Sequence, residues 1–139
     1  MGTDKNALSR AILEGYFTKV FGLLNQTNTK ITKEALWSLS NLVAEEPQFA
    51  ETLLKEQNLV ERIIMLMRNP NKVLRTEAVW VMTNAITAAD QSFNREMMTQ
   101  DGEDLFKALC DNFNKLKASE DTKVLHNLFE ATHKLLQLD

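Results

Sequence analysis

Apolar residues recur along this chain at helical spacing, and the recurrence itself repeats. In Glu34-Ala-Leu-Trp37-Ser-Leu-Ser-Asn41, the positions Ala35, Leu36, Leu39, Leu42 and Val43 gather on one side of a helix. Ala78, Val79, Met82, Ala85 and Ile86 rebuild that face around Glu77-Ala-Val-Trp80-Val-Met-Thr-Asn84. At roughly 100° of rotation per residue, Glu34, Trp37 and Asn41 fall within about 60° of one another on the opposite side. Glu77, Trp80 and Asn84 repeat them 43 positions later. A core tryptophan would lie with the Leu and Val residues, so both indoles are expected to face outward. Outward Trp and Asn at a fixed period point to a binding ladder on a repeat protein.

The 43-residue shift carries more than these segments. Phe17, Val20, Phe21, Leu23 and Leu24 map onto Val60, Ile63, Ile64, Leu66 and Met67. A third copy at Leu105, Phe106, Leu109, Cys110 and Phe113 is shifted by about 46 positions. Each unit is then expected to hold three helices. The first unit reads as 6–14, 16–24 and 29–44, and the second as 48–57, 59–68 and 72–88. The third reads as 92–100, 105–116 and 121–138. Pro47 suits a helix start, and Asn69-Pro70-Asn71 marks a break. No β alternation competes. The expectation is one all-α domain over residues 1–139, a right-handed α-solenoid of about three repeats (6–44, 47–88 and 91–138) with three helices each. Such units bury their apolar faces only by stacking, and arrays need polar caps. Leu8, Ile12 and Leu13 at one end, and Leu125, Leu128, Phe129, Leu135 and Leu136 at the other, read as uncapped interior surface.

Composition narrows the possibilities. With 139 residues, 16 Lys or Arg against 19 Asp or Glu, the net charge is −3 and no basic block would draw a phosphate backbone. Nucleic acid is therefore not expected as a partner. No apolar run is long enough to span a bilayer. Gly2 stands where a myristoylation motif begins, but Asn6 occupies the position that motif gives to Ser or Thr. The single cysteine, Cys110, cannot form an internal disulfide, which fits a reducing, intracellular setting. Cys110 is expected to be a small buried apolar residue, and His126 and His133 do not make a metal-site spacing with it. Met65, Met67, Met97 and Met98 read as core packing. Glu45-Glu46 and Asp101-Gly-Glu-Asp104 read as solvated turns. No phosphate loop, metal cluster or triad is present, so catalysis is not expected and no cofactor is assigned.

The doubled Glu-Ala-x-Trp-x-x-Ser/Thr-Asn on the third helix of units of this length resembles armadillo repeats, and more specifically those of the importin-α (karyopherin-α) transport adaptors. Leu105-Phe-Lys-Ala-Leu-Cys-Asp111 is similar to the segment after that family's last Trp-Asn repeat. The resemblance implies an adaptor module that binds Lys/Arg-rich nuclear localisation signals in extended conformation, in the cytoplasm and nucleus. A longer array could also recruit an importin-β-like carrier. Trp37 and Trp80 would wall a slot for a Lys or Arg stem, and Asn41 and Asn84 would meet the peptide backbone. Glu77, and Glu34 beside it, would meet the cationic tip. Ser40 and Thr83 are placed at the groove's edge. The third unit departs from the pattern, with His126 or Asn127 in the Trp slot and Glu130 or Ala131 in the Asn slot, so two rungs are expected. The competing expectation is an armadillo scaffold outside transport, docking into a larger assembly.

Overall fold

A computed structural model describes residues 2–25 and 27–138, with side chains from Ser9 onward apart from Gln26 and Asp139; the predicted end residue Leu8 lies outside the described side chains. The described residues form seven α-helices and no strand: α1 (Gly2–Leu24), α2 (Thr29–Glu45), α3 (Pro47–Lys55), α4 (Gln57–Leu66), α5 (Lys72–Ala88), α6 (Gln91–Lys115) and α7 (Thr122–Leu136). They stack in two layers. Helices α2, α5 and α7 lie side by side in one, while α1, α3 with α4, and α6 follow one another in the other. Helix α5 is the hub, packing on α2, α3, α4 and α7. The core is one continuous cluster from Phe17 to Leu135. No described helix is long and apolar enough to cross a membrane.

Local chemistry explains the starts of the two ladder helices. Asn28 caps α2 by accepting from the Lys30 and Ile31 amides. Asn71 does the same for α5 through Val73 and Leu74. A side-chain oxygen at this position satisfies amides that the first turn leaves without a partner. Pro47 opens α3, where its missing N–H and fixed φ suit a first helical turn.

Three helices per unit holds only in the middle one. The predicted helices 6–14 and 16–24 are a single rod, α1, because Gly15 lowers helix propensity without removing a hydrogen bond. The predicted helices 92–100 and 105–116 are likewise one helix, α6. The Asp101–Asp104 segment is therefore helical and not a turn, and Asp101 and Gly102 are buried. A stripe of Met97, Asp101, Leu105, Ala108 and Asn112 runs unbroken along α6 and holds it together. The chain breaks within the outer layer only at Glu56, whose ψ of 83° leaves the helical region.

Side chains from one unit close the ends of the unit before. Arg62 on α4 donates through Nε and Nη2 to the Leu24 carbonyl at 3.2 and 3.1 Å. Forty-three residues on, the Met67 carbonyl accepts from Nδ2 of the buried Asn112 at 3.0 Å. Each bond satisfies a carbonyl left unpaired where an outer helix ends.

Two other expectations are corrected. Cys110 is exposed, and Met65 is 62% exposed. Both fit the apolar spacing of their helices but stand on the outer side. Met67 and Met97 are buried as expected, and Met98 packs partly against the core. Of the predicted end surfaces, Leu128 and Leu135 are buried, Leu13 and Leu125 partly so, and Ile12, Phe129 and Leu136 are exposed.

Candidate functional site

The ladder residues lie on neighbouring helices of one layer, α2 and α5, and the structure brings the two Glu-Trp-Asn sets together. Trp37 is 55% exposed, so the indole that departs from the apolar stripe does face solvent. Trp80 is half-buried and rests partly on the core. Glu34 and Asn41 are exposed, and Glu77 and Asn84 are half-buried. The α5 set is thus the more fixed of the two, because α5 is flanked on both sides and α2 only on one.

The asparagines form a chain of bonds. Asn84 Nδ2 donates to the Ser40 carbonyl at 3.4 Å. Asn127 Nδ2, on α7, donates to Asn84 Oδ1 at 2.7 Å and to Thr83 Oγ1 at 3.3 Å. Asn127 therefore stands on α5 in the register in which Asn84 stands on α2. It holds the asparagine slot of the third unit and not the tryptophan slot, which corrects the expected assignment of Asn127 or His126 to the Trp position and of Glu130 or Ala131 to the Asn position. One helical turn before it lies the exposed Lys123, where Trp37 and Trp80 precede Asn41 and Asn84. His126 and Glu130 are both exposed and pair with each other at 3.0 Å. The signal for Asn127 is present in the sequence, since it follows Asn84 by the same 43 positions that separate Asn41 from Asn84.

These bonds leave recognition capacity. A carboxamide offers two N–H donors and two lone pairs. Asn84 uses one of each, so it can still receive and donate to a peptide unit. Among the described residues Asn41 has no side-chain partner, and its whole capacity is open.

Ser40 and Thr83 are not at the groove's edge. Both are buried, with hydroxyls turned back onto their own helices. Ser40 Oγ donates to the Trp37 carbonyl at 2.8 Å and Thr83 Oγ1 to the Val79 carbonyl at 2.7 Å. Their part is to hold the asparagines, the Ser40 carbonyl accepting from Asn84 and Thr83 Oγ1 from Asn127.

Charge at the site is acidic and close-set. Burial pushes the Glu77 carboxyl above the ordinary glutamate range; nearby Lys33 opposes this and nearby Glu34 adds to it. The Glu34 charge therefore reaches Glu77 across the α2–α5 step. A cation placed between them would relieve the repulsion. Because the folded-state pKa of Glu77 is raised, its ionisation disfavours the fold. That penalty is absent below the ordinary glutamate value, grows as pH rises through the raised value, and is full above it. Glu77→Gln should therefore melt higher than wild type at neutral pH while binding cations more weakly. The difference in melting temperature should vanish in acid; a variant that melts lower at neutral pH would contradict this account.

No family model matches the chain, and no curated protein is significantly similar to it in sequence. Its fold does match solved structures. One is a designed armadillo repeat protein in complex with the peptide (KR)4, at a TM-score of 0.60 and 21% identity. The match covers 87% of this chain and 47% of that one, so the chain spans about half the length of this neighbour. Two stacked layers, a repeated inner helix and this match together make the chain an α-solenoid of the armadillo type.

Proposed function

We propose that the Trp/Asn face binds a Lys/Arg-rich segment of another protein in extended conformation. The observation that carries this is the pair of Glu-Trp-Asn sets on adjacent helices, the α2 set exposed and the α5 set half-buried. Packed helices stand about 8–10 Å apart and an extended chain advances about 3.3 Å per residue, so one helix step serves two or three peptide residues. The indoles of Trp37 and Trp80 take the methylene stem of a basic side chain and offer it a cation–π face. Glu77 and Glu34 meet its charge. Asn41 and Asn84 hold the peptide backbone. The (KR)4 complex of the designed neighbour supports a basic peptide as the ligand class.

At finer detail, the reading is an importin-α-like adaptor module for nuclear localisation signals, working between cytoplasm and nucleus. A longer form would also engage an importin-β-like carrier. The role calls for no catalysis, cofactor, membrane or nucleic acid. A second reading, a scaffold or assembly subunit outside transport, is favoured by the exposed Ile12, Phe129 and Leu136 toward the ends of the stack. Titration of a fluorescent Lys/Arg-rich peptide separates the two. Two indoles make one slot, so wild type should bind with affinity on the order of micromolar or weaker, and Asn84→Ala should weaken it. No binding by wild type, together with concentration-dependent self-association in sizing, would reject the first reading for the second.

A further inference from the structure

Helix α6 carries a carboxylate where its packing stripe calls for an apolar side chain. Asp101 lies between the buried Met97 and Leu105 in that stripe and is itself only 6% exposed. Among the described residues its carboxylate has no hydrogen bond or ion pair. It lines a cleft of about 270 Å³ between α4 and α6, together with Glu61, Ile64, Met65, Arg68 and Asp104. Glu61 and Asp104 bring two further negative charges, which add to burial in raising the Asp101 carboxyl above the ordinary aspartate range. Arg68 is already engaged, its Nε donating to Asp111 Oδ2 at 2.6 Å. Beside the carboxylates, Ile64 and the exposed Met65 supply an apolar wall.

The charges of Glu61 and Asp104 disfavour ionised Asp101, and the neutral Asn at position 101 would relieve that repulsion. Like charges gathered against an apolar wall suit one kind of ligand, a cation on an aliphatic stem. We propose that the α4–α6 cleft is a second binding site, apart from the Trp/Asn face, for an alkylammonium or alkylguanidinium group of lysine or arginine type. The stem lies along Ile64 and Met65, and the cationic head sits between Asp101, Glu61 and Asp104. Arg68 stays on Asp111 at the rim. The site is on α4 and α6, whereas the ladder is on α2, α5 and α7, so the proposal does not depend on the peptide reading.

The test is an NMR titration of the full chain, following the Met65 methyl and the Asp101 amide. The probes are N-acetyl-lysine-N-methylamide, n-butylguanidinium and spermidine. A single cationic head in an open cleft should bind with a Kd on the order of millimolar. The Met65 and Asp101 signals should move with probe, move equally in Trp37→Ala, whose exposed indole leaves the fold nearly unchanged, and stay still in Asp101→Asn. Asp101→Asn should also raise the melting temperature, so loss of the shifts could not be put down to misfolding. Spermidine at least tenfold tighter than the lysine derivative would support the site with a free polyamine as its source. Similar affinities would support it with a protein side chain as the source. Signals that stay still in wild type, or that still move in Asp101→Asn, would overturn the proposal. So would shifts seen only in Arg68→Ala, because Arg68 would then be the cleft's own cation.

Discussion

Ile86→Ala is expected to destabilise the chain by about 2–5 kcal/mol, read from the midpoint of a urea titration. Ile86 is 0% exposed and sits on α5, the helix on which both halves of the stack are built. Truncation removes three buried carbons and leaves a cavity that packed neighbours fill only in part. Its backbone carbonyl also accepts from Nδ2 of the buried Asn94 at 3.0 Å, which anchors the start of α6 to α5. Any shift of α5 toward the cavity strains that bond. For a domain whose total stability is about 5–15 kcal/mol, the loss is a large fraction. Leu136→Ala is the control: Leu136 is exposed, and its truncation should stay within about 0.5 kcal/mol. A repeat array is held by neighbour-to-neighbour contacts, so the damage should spread to the ladder and weaken peptide binding as well. A cost under about 1 kcal/mol for Ile86→Ala would mean that α5 is not the hub its packing makes it.

Much of this architecture was legible in the sequence because it rests on local and periodic signals. The predicted starts at Thr29 and Lys72 agree with α2 and α5, whose Asn28 and Asn71 caps stand 43 residues apart. The outward turn of Trp37 followed from its angular separation from Leu36 and Leu39. What was not legible depends on tertiary contacts. Gly15 and the Asp101-Gly102 pair read as breaks by local propensity, yet the buried stripe of α6 runs straight through the second. Burial of Asp101 contradicts any rule of residue type, since only the placement of α4 beside α6 encloses it. Asn127 was misassigned because the third copy was aligned on α6, where the shift is about 46 positions. Helix α7 packs on α5 at the 43–44 residue offset of its own hydrogen bonds. Met65 and Cys110 match the apolar period while facing solvent, a distinction spacing alone does not carry.

Trp37→Ala is expected to weaken binding of a Lys/Arg-rich peptide at least about tenfold, roughly 1.4 kcal/mol, while leaving the fold nearly unchanged. The two halves of this expectation have different causes. Trp37 is 55% exposed, and surface truncations of that kind move stability by about 0.5 kcal/mol or less. In the complex the same indole would be covered by a peptide side chain, and aromatic residues buried at the centre of an interface can contribute about 2 kcal/mol or more. A cation–π contact supplies about 0.5–2 kcal/mol of this, more as water is excluded. Trp80→Ala is the less clean experiment, because Trp80 is half-buried against the core and its loss should lower both binding and stability. Only the exposed indole separates recognition from packing. Matched urea midpoints for Trp37→Ala and wild type, with weaker peptide binding by the variant, would make the face a peptide reader. Unchanged binding by Trp37→Ala, alongside lost binding by Trp80→Ala, would assign the effect of Trp80 to the fold and leave the ladder without a role in recognition.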